Sequence, residues 1–307
     1  MSVNQHGTRA MQTLVENLAN NHQEFHNELL ALIHELEKQV LLLCTHNHGN
    51  HVVQTFLVRF RASDVPSDSD KPGCEQFGQY TDFVFNACRT WPIEIGTHKQ
   101  GCCVMQRCLE KGLHSQKIEL AKVIIDEIAG LIEDPYGNYL VQNVLKIQDD
   151  TSNQKIFNFI AGDFIRLSKL KFSSNVIEKC LEIESCVMQI ARILLGSHKF
   201  DDITLERELG DASRDKDTRL SCIVEHLATH SFGNYVLQKV LLVNIDWSLK
   251  KQVLEEIKLQ ASNMMSTKHG PKVLQKLQKT YPRIFAGVPT TGNAHSSEKK
   301  NQRQRPG

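Results

Sequence analysis

Asn50-His-Val-Val-Gln54, Cys102-Cys-Val-Met-Gln106, Asn138-Tyr-Leu-Val-Gln142, Ser174-Asn-Val-Ile-Glu178 and Asn234-Tyr-Val-Leu-Gln238 are one short phrase written five times. A small polar residue stands first, a planar or polar one second, then two apolar residues, then an amide or an acid. A degenerate sixth copy opens the chain at Thr8-Arg-Ala-Met-Gln12. Self-similarity at a fixed spacing is the mark of a stacked repeat protein, in which each unit buries its apolar face on its neighbours. Just ahead of the copies stand Gly7, Gly49, Gly101, Gly137, Ser173 and Gly233, and Gly270 follows. Where nothing is inserted they are about 36 residues apart, the length of one helical repeat unit.

Two connections are longer. Residues at about 61–80 hold the Pro-, Ser-, Asp- and Gly-rich run Ala62–Gly73, which reads as a loop. Lys199–Arg219 mixes both charges with few apolar anchors, and the expectation is a surface excursion. Residues 286–307 are expected to form a disordered basic tail, leaving residues 1–285 as one repeat domain.

Within a period the pattern predicts helix, turn, helix. Ile118, Leu120, Val123, Ile124 and Ile128 fit a packed helix, and Asp134-Pro-Tyr-Gly137 is a turn. On the following helix Leu140 with Val144 and Val141 with Leu145 form apolar i,i+4 pairs. Asn138, Tyr139 and Gln142 are expected to project together from the opposite edge. An Asn or Ser in first place could instead cap its helix. A capping box, however, places Glu or Gln three residues after the cap, whereas here it follows at four.

Composition excludes several classes. A formal net charge of +1 supplies no general attraction for a polyanion, so any nucleic-acid binding must rest on specific side chains. Nine cysteines without a CxxC pair, and no leader-like segment, lead to the expectation of reduced thiols in a cytosolic or nuclear protein. No apolar run is long enough to span a bilayer. No cofactor or metal pattern is present. Cys102, Cys103 and Cys108 lie near His98, but nothing in the pattern supplies an oriented base or an oxyanion site, so no enzyme is expected. His46 and His48 stand in the turn before a repeat helix, where capping or solvating that helix is expected rather than metal binding.

Asp134-Pro-Tyr-Gly-Asn-Tyr139, Lys171-Phe-Ser-Ser-Asn-Val-Ile-Glu-Lys-Cys180 and Thr97-His-Lys-Gln-Gly-Cys-Cys-Val-Met-Gln-Arg-Cys108 resemble Pumilio-family (PUF) RNA-binding repeats. The resemblance covers nearly all of residues 5–285, and Lys268-His-Gly-Pro-Lys-Val-Leu-Gln275 is similar to the family's closing half-repeat. It implies an all-α fold, a curved right-handed armadillo-like solenoid that reads about one base per repeat. By that resemblance the base-edge residues are Thr8 with Gln12, Asn50 with Gln54, Cys102 with Gln106, Asn138 with Gln142, Ser174 with Glu178, and Asn234 with Gln238. The base-stacking residues are Arg9, His51, Cys103, Tyr139, Asn175 and Tyr235. Cys103 departs from the arginine usual there and offers little planar surface.

The chemistry of the pairs can be derived separately. Guanine presents two adjacent donors, N1–H and N2–H, which an acceptor-only carboxylate matches and a glutamine amide does not. Ser174 with Glu178 therefore reads as guanine. In the family Asn with Gln favours uracil, Cys or Thr with Gln favours adenine, and the RNA runs antiparallel to the chain. The six pairs then spell 5′-UGUAUA. The resemblance further implies a cytoplasmic, monomeric protein acting on messenger-RNA 3′-untranslated regions through a deadenylase complex or translational repressors. Two other readings remain: a protein-binding helical scaffold without base readout, and a nuclear ribosome-assembly factor of the shape-reading branch. Family domains usually hold eight repeats, and this chain begins within what resembles the third; the expectation is a fragment or a misassigned start, the alternative being that this edge meets something else.

Overall fold

A computed structural model describes residues 3–60, 78–194, 207 and 215–289, and every regular element among them is a helix. The described residues form two compact units, Met1–Ile156 and Phe157–Gly307.

The three repeats of the first unit and the last of the second are each built of three helices, one more than the sequence pattern predicts. The first unit runs through His26–Glu37, Val40–Thr45 and Gly49–Arg59, then Asp82–Thr90, Pro92–Gly96 and Lys99–Lys111, then His114–Asp126, Ile128–Leu131 and Gly137–Lys146. The second contains Phe164–Lys169 and Ser173–Cys180, then Lys216–Ala228 and Gly233–Leu242, then Trp247–Leu259, Ala261–Met265 and Gly270–Thr280. The extra short helix has a packing cause. One turn brings Ile128, Leu131 and Ile132 to one face, and all three are buried.

The helices that carry the five-residue phrases are the spine of each unit. In the first unit Gln5–Asn20 packs on Gly49–Arg59, which packs on Lys99–Lys111, which packs on Gly137–Lys146. In the second, Ser173–Cys180 packs on Gly233–Leu242. The same apolar quartet recurs at their contacts: Val52, Val53, Phe56 and Leu57; Val104, Met105, Cys108 and Leu109; Leu140, Val141, Val144 and Leu145; Val236, Leu237, Val240 and Leu241. None of these sixteen side chains is more than 4% exposed. At about 1.5–3 kcal/mol for each large apolar side chain removed from water, these quartets hold the repeats together.

The glycine that marks each repeat is there because two backbones nearly touch. A Cβ on Gly101 would lie 2.2 Å from the carbonyl oxygen of Ile95, and one on Gly137 would lie 2.7 Å from that of Leu131. Ser173 stands at the equivalent place, six residues after Leu167. Its hydroxyl turns the close approach into a hydrogen bond, donating to the Leu167 carbonyl at 2.7 Å.

The turns before these helices are closed by side-chain acceptors. His46 Nδ1 accepts from the backbone N–H groups of His48 and Gly49 at 3.1 and 3.3 Å. His230 Nδ1 does the same for Phe232 and Gly233, and the carboxylate of Asp134 for Tyr136 and Gly137. Burial, with Lys169 and His269 nearby, pushes the His230 pKa down and keeps its ring the neutral acceptor that this turn requires. Of the two histidines expected to cap or be solvated in this turn, His46 accepts from its N–H groups, and His48 makes no side-chain cap hydrogen bond.

The described edges of both expected insertions are packed. Beyond the run Ala62–Gly73, Tyr80 is 1% exposed, its ring centroid is 4.5 Å from that of Phe60, and its hydroxyl is 2.7 Å from His26 Nδ1. Lys216–Arg219 open a packing helix, and the buried Arg219 donates through Nε to the Ile193 carbonyl at 3.1 Å. A charge-rich run thus reads as surface until its arginine finds a buried carbonyl. The remainder of the insertions, residues 61–77 and 199–214 apart from Arg207, together with residues 195–198 and residues 290–307 of the expected tail, lie outside the described residues.

The glycine contact makes a direct prediction. Gly101→Ala should destabilise the protein by about 1–3 kcal/mol, as forced overpacking does, because backbone rather than a flexible side chain must yield. Gly162→Ala, where the nearest atom is 3.8 Å away, should cost less than about 0.5 kcal/mol. Thermal unfolding of the two variants measures the difference, and equal midpoints would contradict the close-approach account.

Candidate nucleic-acid interface

Each phrase begins within the first turn of its helix, so its first, second and fifth residues lie on one side of that helix. The structure separates them by depth. The first-position residues Thr8, Asn50, Cys102, Asn138, Ser174 and Asn234 are all buried, none more than 5% exposed. The second-position residues Arg9, His51, Cys103, Tyr139, Asn175 and Tyr235 are all exposed. Gln12, Gln54, Gln106, Gln142 and Glu178 are intermediate, and Gln238 is buried at 9%. The expectation that Asn138, Tyr139 and Gln142 project together is therefore corrected: Asn138 lies beneath the other two.

The reason lies in the turn. Asn50 Nδ2 donates to the carbonyls of His46 and Asn47, both at 2.8 Å. Asn234 Nδ2 donates to those of His230 and Ser231 at 2.6 and 3.0 Å, and Asn138 Nδ2 to that of Asp134 at 2.9 Å. These residues do not cap their helices, since a cap accepts from backbone N–H groups and these amides donate to carbonyls. Carbonyls accept only, so the nitrogen of each asparagine amide faces the turn and its oxygen faces the fifth residue. Gln54, Gln142 and Gln238 accordingly donate through Nε2 to Asn Oδ1 at 2.8, 2.9 and 2.9 Å. Each glutamine is left with one N–H and its oxygen to offer outward, side by side. That donor–acceptor pair complements the alternating edge of uracil, where N3–H sits beside a carbonyl.

The Ser174–Glu178 repeat is built differently. Ser174 donates to the Lys171 carbonyl at 3.3 Å and takes no part in orienting Glu178. The Glu178 carboxyl is half-buried. Its pKa is raised by that burial, with Lys239 working against the shift and Glu182 adding to it. A desolvated carboxylate is a strong acceptor for two adjacent donors, the pattern on the guanine edge.

In the Cys102 repeat a thiol replaces the amide. Gln106 Nε2 reaches Cys102 Sγ at 3.7 Å, a weak contact, and the buried thiol is pushed up to about 12, chiefly by desolvation. It stays protonated at neutral pH and is no nucleophile, and the buried thiols of Cys44, Cys88 and Cys180 are raised as well. Cys103 is exposed and donates to the Lys99 carbonyl at 3.4 Å. No group of three or more His, Cys, Asp or Glu side chains among the described residues could hold a metal, and no described helix is long and apolar enough to cross a membrane.

Two contacting residues escape a reading of the five-residue phrases. Gln12 Nε2 donates to Thr55 Oγ1 at 3.2 Å, and Asn143 Nδ2 donates to Gln106 Oε1 at 3.1 Å. Both partners come from the following repeat, at the position just after its own glutamine. The signal that could have found them is composition at that sixth position: Thr13, which has no preceding phrase, Thr55 and Asn143 are neutral, whereas Arg107, Lys179, Lys239 and Lys276 are cationic.

Comparison with known proteins gives the family and the fold. The model of the Pumilio-family RNA binding repeat matches residues 1–25, 39–64, 93–125, 127–161, 164–194 and 224–257, more than half of the chain and one match for each of the six phrases. A Pumilio domain-containing protein of Schizosaccharomyces pombe is 29% identical over 92% of this chain, and Pumilio homolog 12 of Arabidopsis thaliana is 29% identical over 90%. The chain spans only 35% and 39% of these relatives' own lengths. Among solved structures, the RNA-binding domain of yeast Puf5p bound to SMX2 RNA superposes with a TM-score of 0.65 at 27% identity, covering 92% of this chain and 75% of that one. A Puf4 mutant bound to a Cox17 RNA 3′ UTR recognition sequence gives 0.64 at 28% identity, covering 90% and 80%. With six matched repeats and the all-helical solenoid fold of these domains, the chain belongs to the Pumilio family of RNA-binding repeat proteins.

Proposed function

We propose that this chain reads single-stranded RNA one base per repeat, recognising 5′-UGUAUA-type elements in messenger-RNA 3′-untranslated regions. The observation that carries the reading is the depth ordering of the phrases. In the three Asn/Gln repeats a buried first residue sets the polarity of the fifth, and in every phrase an exposed second residue stands beside it where a base can stack. Tyr139, Tyr235 and His51 supply rings for that stacking and Arg9 a guanidinium plane, each such contact contributing about 1–3 kcal/mol. Asn50 with Gln54, Asn138 with Gln142 and Asn234 with Gln238 take uracil. Thr8 with Gln12 and Cys102 with Gln106 take adenine, and Ser174 with Glu178 takes guanine. Cys103 and Asn175 flank their bases with little planar surface, so those two steps contribute less.

A near-neutral chain lacks the field for tight non-specific binding, which fits a reader that depends on base contacts. In this reading the protein works as a monomer in the cytoplasm. It brings a bound message to effectors such as a deadenylase complex or translational repressors, and so lowers translation or shortens the life of the message. A protein-binding scaffold would gain nothing from turning one fifth-position amide into a carboxylate between two Asn/Gln repeats.

Fluorescence anisotropy with 5′-UGUAUAUA, and with the same oligomer carrying U in place of G, tests the register. Wild type should favour the G oligomer by about tenfold or more, as one well-placed bidentate contact provides. Ser174→Asn/Glu178→Gln should favour the U oligomer instead. Equal affinities in both proteins would remove base readout and leave the scaffold reading.

The raised pKa of Glu178 adds a pH signature. Its proton is taken up at higher pH than by an ordinary glutamate, and the protonated acid cannot accept from both guanine donors. Guanine binding stabilises the carboxylate, so affinity for G rises with pH through the free-state pKa and falls as pH is lowered through it. The G-over-U ratio of wild type should therefore shrink between pH 7 and pH 5, while the ratio of the double variant stays flat. A flat wild-type ratio would contradict a carboxylate contact.

A further inference from the structure

We infer that the last described helix, Gly270–Thr280, extends the RNA surface past Asn234 and Gln238, gripping the phosphates of nucleotides 5′ to the element through Lys272, Lys276 and Lys279. The inference rests on the RNA-reading function proposed above and deepens it.

This helix repeats the construction of the six readers. A Cβ on Gly270 would lie 2.2 Å from the Met264 carbonyl oxygen, as one on Gly101 would from that of Ile95. Val273, Leu274 and Leu277 are buried at the places of the apolar quartets. Pro271-Lys-Val-Leu-Gln275 is therefore a seventh phrase in the same register. Its second, fifth, sixth and ninth residues, Lys272, Gln275, Lys276 and Lys279, are all exposed, and their spacing puts them on one face. In the preceding repeat the same face carries Tyr235 and Gln238.

What differs is the charge. In three other phrases the cation at the sixth position is met by an acid: Arg107 by Glu110 at 3.3 Å, Lys179 by Glu182, and Lys239 by the same Glu182 at 3.1 Å. Glu110 and Glu182 are ninth residues of their phrases, and in the seventh phrase that place is taken by Lys279. No described residue forms an ion pair or a hydrogen bond with the ammonium of Lys272, Lys276 or Lys279. Between Glu256 and Glu298 the sequence has no acidic residue, while Lys258, Lys268, Lys272, Lys276, Lys279 and Arg283 all fall in that interval. In a chain of net charge +1 this is a local concentration of positive field. Lys272 and Lys276 repel each other across one helical turn, and an anion laid between them relieves that cost.

Position names the anion. In the reading proposed above the RNA runs antiparallel to the chain, so Asn234 and Gln238 hold the first U and the next helix meets what lies 5′ of it. Tyr281 ties the two helices together, its hydroxyl donating to the Leu241 carbonyl at 3.1 Å. The Pro271 side chain has no donor or acceptor, so the seventh phrase lacks the pair that reads a base edge. An ammonium is a point charge suited to phosphate oxygens, and phosphate contacts carry no sequence information of their own. The grip is therefore on the strand and not on its bases.

The test compares binding of 5′-UGUAUAUA, 5′-AAAUGUAUAUA and 5′-CCCUGUAUAUA to wild type and to Lys272→Gln/Lys276→Gln/Lys279→Gln. In wild type both extensions should raise affinity by the same factor, about tenfold or more at 50 mM salt, and steepen the salt slope by about 2. The triple variant should lose that gain, yet keep its affinity for the unextended oligomer and its G-over-U ratio at the second base. No gain in wild type, or a gain that survives in the variant, overturns the inference while the code stands. So does a gain from one extension alone, which would mean a base pocket. An equal weakening of all three oligomers in the variant also overturns it, since the lysines would then act on the fold. If wild type shows no G preference on the unextended oligomer, the underlying reading fails and the inference with it.

Discussion

At the root of each Asn/Gln repeat is the amide of an asparagine closing a turn. Its nitrogen is committed to backbone carbonyls at the turn, as Asn50 Nδ2 is to those of His46 and Asn47. Buried carbonyls must be satisfied, and leaving one without a partner costs about 1–3 kcal/mol. The same bond that satisfies the turn leaves Asn Oδ1 pointing at the fifth residue, and Gln54, Gln142 and Gln238 have no choice but to donate to it. The fold of the turn and the polarity of the surface are therefore one network. The side chain that finishes the turn also sets the polarity of the surface beside it.

That coupling accounts for the division of labour within each phrase. The first residue is buried because it has a structural task, and the second is exposed because it has none within the chain. The apolar pair between the second and fifth residues belongs to the recurring quartet that binds one helix to the next, and this fixes the rotation of the helix. With rotation fixed by packing and polarity by hydrogen bonds, no large motion is needed to prepare the surface. Glu178 is the exception that proves informative. Its neighbour Ser174 turns to a backbone carbonyl, and its charge is balanced at a distance by Lys239, which is itself hydrogen-bonded to Glu182. A half-buried carboxylate held this way is costly for the chain alone and gains most from a partner that brings two donors.

Much of this was legible in the residues themselves. The period, the buried quartets, the capping role of His46 and the pairing of first with fifth positions all follow from local spacing, because helices and turns are local objects. Three features were not. The short helices such as Ile128–Leu131 are too brief to show a period of their own. The burial of Asn138 depends on where the turn folds back, which spacing does not specify. Asn143 and Thr55 act on glutamines 37 and 43 residues earlier, a relation that exists only once the repeats are stacked. Arg219 likewise lies in a charge-rich run, and its partner, the Ile193 carbonyl, stands on a different helix 26 residues earlier.

The most direct test of the central claim is selection of bound RNA from a fully random pool, with no candidate motif supplied. The account predicts enrichment of UGU followed by A, with the strongest constraint at the G that faces Glu178 and weaker constraint at the A that faces Thr8 and Gln12. Recovery of RNA with no shared motif, or of a motif lacking that G, would contradict a base-by-base reading of this surface.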